Sequence, residues 1–498
     1  MNAAKEAVVD CLKLGAREFV ICSGARNLEL ISIIHSVRGI NTYHFPEERS
    51  AAFFAMGRSL KECAPVVIVT TSGTAVAELF PAVIESFYQC VPLILLTADR
   101  PKRFQSTGSP QTINQTNIYG YYAENNVNTW STTAPLHINI HLEEPDQDNL
   151  IDKEVTIPEL NSSPILSDNV EQIKADTLLL QDFLNRAEDL FVLVSNINQE
   201  LGPEIYNFII NNNLSVYAES TSGLREKLES SIPSDIHAKH ILRIGALPSC
   251  RYWRDLEMEE DTEVFSVTLN GLSGLARSST VAKKVNWSEL RYPFSTKENN
   301  KNDSLSTLDE LISKFPQAEP SWFRHLSKRI PNNSLVFLGN SLPAREWEIA
   351  ATRVDKDLKC FSNRGTNGID GNISTFLGLA IKENESWGIF GDLTAMYDLF
   401  SPWILRDHNE SNIRIVIINN GGGKIFSRVN AVSESPNHIK KSIINNHNIG
   451  FKSWAAMWDI NYINAQSSND LQNLPDGPVI IEIIPDTQSS EEFWKGML

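Results

Sequence analysis

The sequence is poor in the features that would put a chain into a membrane, onto a nucleic acid or into a disulfide framework. No apolar run approaches the ~20 residues that cross a bilayer, and a composition of 42% hydrophobic and 21% charged residues is that of an ordinary globular chain. Only 6 of the 498 residues are cysteine. They stand at positions 11, 22, 63, 90, 250 and 360 without a C-x-x-C pair. That spacing suggests neither a disulfide framework nor a zinc knuckle, and it fits a reducing, cytoplasmic setting. Basic residues are the minority, 44 Lys and Arg against 61 Asp and Glu, for a net charge of −17. Nucleic acids and anionic membranes both reward basic surfaces, so neither is expected as the main partner. Small anionic substrates stay open, because a few local arginines suffice for them. The opening Met1-Asn2-Ala3-Ala4-Lys5-Glu6 starts an amphipathic helix rather than a charged-then-apolar leader.

What is present is alternation. Glu18–Cys22, Thr42–Phe45, Pro65–Thr71, Pro92–Thr97 and His137–His141 read as strands, with helices around Leu28–His35 and from Ser72 toward Gln89. Near-continuous apolar strands separated by helices indicate a parallel sheet covered on both faces. The polar stretch from Glu144 to about Asn169 reads as a connector. Strands at Leu190–Ser195, Leu214–Ala218, Ile241–Gly245 and Val264–Leu269 follow, then a solvated loop over Lys297–Asp303. Leu335–Leu338, Trp387–Phe390, Ile413–Ile418 and Val479–Ile484 make a third set, laid out like the first. The expected fold is α/β, with three doubly wound parallel-sheet domains over residues 1–170, 171–305 and 306–498. Ligands belong at the carboxyl ends of such strands.

Three groups of residues sit at those ends. Gly391-Asp392-Leu393 closes one apolar strand, and Asn419-Asn420-Gly421-Gly422-Gly423 closes the next. A carboxylate, an amide oxygen and a backbone carbonyl form a hard-oxygen set suited to Mg²⁺, or equally to Mn²⁺. The glycines let the backbone approach a diphosphate. Ordinary strand-to-helix turns use the same residue types. Glu48, in Phe45-Pro46-Glu47-Glu48-Arg49-Ser50-Ala51-Ala52, lies where a strand turns into an apolar helix, so a half-buried carboxylate with a raised pKa is expected. A solvated helix start, where the macrodipole favours Glu, is the plainer alternative. Arg26, Arg100, Arg345 and Arg364 each stand beside a strand end, and guanidinium forks suit carboxylates. His137 and His141 share one face of a strand with Glu143 and Glu144 beyond; a closing strand is preferred there over a metal site.

The Gly-Asp-x and Asn-Asn pair, with its surroundings Gly391–Leu399 and Asn419–Ser427, resembles the fingerprint of the thiamine diphosphate-dependent enzymes. The Glu48 segment and Thr71-Ser72-Gly73-Thr74-Ala75 match that family as well. Within it, the spelling is most similar to the branch of menaquinone biosynthesis that couples decarboxylated 2-oxoglutarate to isochorismate. That resemblance implies thiamine diphosphate held with Mg²⁺ by Gly391, Asp392, Asn420 and the Gly422 carbonyl. It implies Glu48 beside N1′ of the aminopyrimidine, Ile369 as the apolar prop that bends the cofactor, and Phe426 in the same cavity. It assigns Arg26, Arg100, Gln111, Arg251, Ser341, Arg345 and Arg364 to the substrates. A homodimer or homotetramer with sites between subunits follows from it too. Another thiamine diphosphate-dependent decarboxylase, an acetolactate synthase-like carboligase, or a non-catalytic binding subunit of the same fold are the alternatives. The first turn, Cys22-Ser23-Gly24-Ala25-Arg26, departs from the family's Ser-Pro-Gly-Ser-Arg, Pro110 replaces a common Asn, and Cys250 stands where a basic residue can occur.

Overall fold

Three parallel sheets carry the chain, each built from short β-branched runs. The computed structural model describes residues 3–145, 169–228, 230, 231, 236, 238–294 and 303–497. The connector expected from Glu144 to Asn169 and the loop expected over Lys297–Asp303 lie almost wholly outside these residues. The first sheet contains β1 (Glu18–Cys22), β2 (Asn41–Phe45), β3 (Val66–Thr70), β4 (Leu93–Asp99) and β5 (Leu136–His141), in the order β2-β1-β3-β4-β5. The second contains β6 (Leu190–Val194), β7 (Ser215–Ala218), β8 (His240–Ile244), β9 (Glu263–Val267) and β10 (Thr280–Ala282), in the order β10-β9-β8-β6-β7. The third contains β11 (Leu335–Leu338), β12 (Lys359–Phe361), β13 (Glu385–Gly391), β14 (Asn412–Ile418), β15 (Asn461–Ala465) and β16 (Val479–Ile483), in the order β12-β11-β13-β14-β16-β15.

The central strands are buried on both faces, as their predominantly apolar sequences require. Three strands escape the sequence reading: β10, β12 and β15. Each is the edge of its sheet. Paired on one side and half-solvated, an edge strand has no need of an apolar run. The helix expected from Ser72 to Gln89 is two helices, Thr74–Glu78 and Phe80–Gln89, because Pro81 cannot donate to the turn before it.

By backbone packing the residues form two compact units. One holds Met1–Ser167, Gly365–Ile381 and Tyr397–Asn409; the other holds Asp168–Arg364, Lys382–Met396 and Glu410–Leu498. In the first unit the helix Glu48–Glu62 crosses the helix Asn372–Ala380 at glycine-limited distance. A Cβ on Gly57 would lie 2.1 Å from the Thr375 carbonyl, and one on Gly378 would lie 2.3 Å from that of Phe54. The neighbouring Arg58, fully buried, donates to both carboxylate oxygens of Glu18 at 2.7 and 2.9 Å and to the Gly378 carbonyl at 3.1 Å. A buried guanidinium is tolerable only with its charge and its N–H groups paired in this way.

Candidate active site at the strand tips

In the second unit, β13 and β14 pair with Gly391 opposite Ile418, so the residues that follow each strand emerge side by side. Asp392 is buried, and its carboxylate gathers backbone N–H groups. Oδ2 accepts from Gly421 at 2.8 Å and from Gly422 at 2.9 Å, while Oδ1 accepts from Leu393 at 2.6 Å. Burial pushes its pKa up, and these N–H bonds pull the other way. The turn needs glycine. Gly421 and Gly422 have φ of +81° and +134°, and a Cβ on Gly422 would sit 2.6 Å from the Ile444 carbonyl. The half-exposed ring of Phe426 covers Gly423, where an added Cβ would meet it at 3.0 Å.

Asn420 supplies the other half of this corner. Its Nδ2 donates to both oxygens of the buried Glu319 at 3.1 Å, and its Oδ1 is buried without a hydrogen-bond partner among the described residues. An amide oxygen left unpaired costs roughly 1–3 kcal/mol. A carboxylate with a free lone pair on Oδ1 and an unpaired amide oxygen beside it fit a small hard cation. His447, which the sequence reading missed, places Nε2 3.3 Å from Asp392 Oδ2, while its Nδ1 accepts from the Ile449 N–H. Glu319, also missed, is pushed well up in pKa, first by burial and then by the nearby carboxylate of Glu346, which Arg428 pairs at 2.7 Å.

A second group gathers beyond β11 in the same unit. Ser341 has φ +77° at the start of the helix Leu342–Ala350, and its carbonyl accepts from Arg345 Nη1 at 2.6 Å. Arg364, buried, donates to Asn340 Oδ1 at 3.2 Å and to the Leu247 carbonyl at 3.3 Å. Burial, then the charge of Arg364, lowers the pKa of Arg345; the buried Glu219 opposes that shift. Glu219 is itself raised by burial and accepts from the Ser249 N–H and hydroxyl, the latter at 2.5 Å. Arg251 does not join this group. Its side chain is 74% exposed and pairs with Asp255 at 3.0 Å, one helical turn on.

The first unit holds the remaining residues. Glu47, not Glu48, takes the capping bonds of the helix Glu48–Glu62, accepting from Arg49 and Ser50 at 3.1 and 2.9 Å. Glu48 is therefore not needed as the cap. It is half-buried, and burial raises its pKa, with Glu47 and Glu78 adding to the rise. Arg26 is buried with Nη1 on the Leu142 carbonyl at 3.0 Å and Nη2 on Glu144; Arg100 reaches the same carboxylate at 3.5 Å. One carboxylate thus spans two of the arginines the sequence singled out. The Gln111 side chain is exposed, but its backbone packs on Gly73, which has φ +90°. Gln115, buried and not foreseen, ties that turn down by accepting from the Gly73 N–H at 3.0 Å and donating to the Ala98 carbonyl at 3.1 Å. Ile369 is half-buried. His137 and His141 are engaged within the fold, His137 with the Thr97 hydroxyl at 2.8 Å and His141 with the Arg100 carbonyl at 2.6 Å.

Residues 2–118 match the family model described as the thiamine pyrophosphate enzyme, N-terminal TPP binding domain. The fold is that of a solved benzoylformate decarboxylase from Polynucleobacter necessarius, with a TM-score of 0.70 at 13% identity over 97% of this chain and 99% of that one. Fold and sequence match together define a thiamine diphosphate enzyme. Two curated relatives narrow the class. The 2-succinyl-5-enolpyruvyl-6-hydroxy-3-cyclohexene-1-carboxylate synthase of Bdellovibrio bacteriovorus is 37% identical, covering 99% of this chain and 98% of the relative. The enzyme of the same name from Akkermansia muciniphila is 34% identical over 98% of this chain and 97% of its own. The chain belongs to the 2-succinyl-5-enolpyruvyl-6-hydroxy-3-cyclohexene-1-carboxylate (SEPHCHC) synthase family.

Proposed function

We propose that this enzyme decarboxylates 2-oxoglutarate and adds the resulting succinyl-semialdehyde unit to the conjugated double bond of isochorismate, giving SEPHCHC and CO₂ as a step of menaquinone biosynthesis. The observation that carries the reading is the corner made by Asp392 and the buried Oδ1 of Asn420, which has no hydrogen-bond partner among the described residues, at a glycine turn. Asp392, Asn420 and the Gly422 carbonyl would hold Mg²⁺, or Mn²⁺ in its place. Gly391 and the turn after Asn420 would admit a diphosphate. Bound thiamine diphosphate supplies the electron sink for loss of CO₂ from a 2-oxo acid and for the carbon–carbon bond that follows.

The chain's own residues orient and charge the site. Glu48 holds a proton at N1′ of the aminopyrimidine; its burial-raised pKa suits a group that must both keep and release one. Ile369 and Phe426 give the cofactor apolar support. Arg345 and Arg364, desolvated beside one another, supply the forks for carboxylates that do not react, with Ser341 beside them. Arg26 and Arg100 do the same in the first unit, where Glu144 lies across them. Gln111 belongs to the substrate set by resemblance, and Arg251 would join it only by leaving Asp255 and swinging in from solvent. Three domains, 1–170, 171–305 and 306–498, carry these groups, and a homodimer or homotetramer with shared sites in the cytoplasm completes the reading.

Product analysis tests it. With 2-oxoglutarate, isochorismate, thiamine diphosphate and Mg²⁺, CO₂ release should be matched by formation of the adduct. Release of a free aldehyde at a rate indifferent to isochorismate would instead mark a simple decarboxylase.

A further inference from the structure

We infer that Glu319 is the positioning residue that turns the amide oxygen of Asn420 toward the metal, and that metal affinity depends on it. The inference rests on the reading of Asp392 and Asn420 as metal ligands and adds a residue outside the ligand set. A side-chain amide can rotate by half a turn at little cost, presenting either NH₂ or oxygen to a given neighbour. Glu319 removes that freedom. Both of its oxygens lie 3.1 Å from Asn420 Nδ2, so the NH₂ end meets two acceptors there, where the oxygen end would set acceptor against acceptor. The oxygen is left buried with no hydrogen-bond partner among the described residues, which suits a metal ligand.

Glu319 is well fixed for this work. It opens the helix Glu319–Arg329, where the macrodipole favours a carboxylate. Its own N–H donates to the Ser490 hydroxyl at 2.9 Å, and only 4% of the residue is exposed. A buried acid whose side-chain hydrogen bonds, among the described residues, both go to a ligand amide matches the outer partners that orient metal ligands, whose loss typically weakens metal binding about 10–100-fold.

The experiment titrates Mn²⁺ into the full-length protein at a fixed excess of thiamine diphosphate and counts free Mn²⁺ by electron paramagnetic resonance. Glu319→Leu, which keeps bulk but accepts nothing, should bind about 10–100-fold more weakly. Glu319→Gln, which can offer either end of an amide, should fall between Leu and the parent, and it carries the test if the Leu variant does not fold. In an Asn420→Ala background the Glu319 substitution should cost less than about threefold, because the group it orients is gone. A merely structural role would leave the cost undiminished there. Variants that bind Mn²⁺ within threefold of the parent, or a cost that persists without Asn420, overturn the inference. Asp392→Ala separates the two levels: if it binds metal as the parent does, the metal site itself is misassigned, whereas its failure alongside unaffected Glu319 variants sinks only the role of Glu319.

Discussion

The first and third sheets begin with the same strand order, a central strand flanked by its successor on one side and the later strands on the other. Both place polar residues at the carboxyl ends of their strands. What they present there differs in kind. The third sheet offers oxygen atoms and backbone N–H groups, held by a glycine turn with φ of +81° and +134° that no other residue type adopts easily. The first sheet offers charged side chains: a half-buried Glu48, and Arg26 and Arg100 spanned by Glu144. One framework therefore supports two chemically different sets of strand-end groups, and the loops after the strands decide which is which.

Substitutions at the two ends should separate binding from turnover. Asp392→Ala is expected to abolish metal-dependent uptake of thiamine diphosphate in calorimetry. Glu48→Gln should leave that uptake within a few-fold of the parent and lower kcat by about 10²–10⁴-fold, the range of positioned acid–base groups. Wild-type turnover in Glu48→Gln would break the division of labour. The glycines sharpen it. Gly422→Ala forces an L side chain into a φ of +134° against a backbone carbonyl, costing about 1–3 kcal/mol for the backbone conformation alone. It should weaken cofactor binding and lower the melting temperature of the loaded protein. Gly24→Ala, at an extended φ of −161° where an added Cβ would meet the Thr71 side chain at 2.6 Å rather than a backbone carbonyl, should do less of both.

Arginines come next in size. Arg364→Ala removes a charge-assisted contact and should raise KM for one of the substrates about 10–100-fold with a smaller change in kcat. Arg251→Ala, solvent-facing and paired with Asp255, should change KM less. An equal effect of the two would mean that the exposed arginine swings into the site. The smallest effect on turnover is at His137, whose pKa burial lowers to about 4. Below pH 6.5 the unfolded chain takes up a proton that the folded chain refuses until about pH 4. Stability therefore falls on acidification through that window, by up to about 3 kcal/mol from this group. His137→Gln should flatten the dependence of the urea midpoint between pH 7 and 5 relative to the parent.

Legibility followed the physics of each region. Buried strands such as β3, spelled Val66-Val67-Ile68-Val69-Thr70, were readable because burial on both faces leaves few choices of side chain. The edges β10 and β12 were not, being only 3 residues long, and neither was β15, whose Asn461 and Asn464 break its apolar pattern on a largely solvated strand. Asp392 and Asn420 were readable as a pair because strand tips in register bring local motifs together. Glu319 was not, lying 101 residues from Asn420 with no motif of its own. His447 sits in a polar loop whose spelling says nothing of what it faces. Arg251 illustrates the opposite limit: residue type and a nearby strand end do not reveal which way a long side chain points.

The interleaving of the chain has a consequence for its synthesis. Pieces of the first unit, Gly365–Ile381 and Tyr397–Asn409, are encoded after most of the second. A ribosome adding ~5–20 residues per second would expose the N-terminal portion for on the order of ten seconds to a minute before its last piece emerges. Through that interval the face of the helix Glu48–Glu62 that carries Gly57 has no Asn372–Ala380 helix to cover it, and Arg58 lacks the Gly378 carbonyl. A fragment ending before residue 365 should therefore be far less soluble than one ending after residue 409.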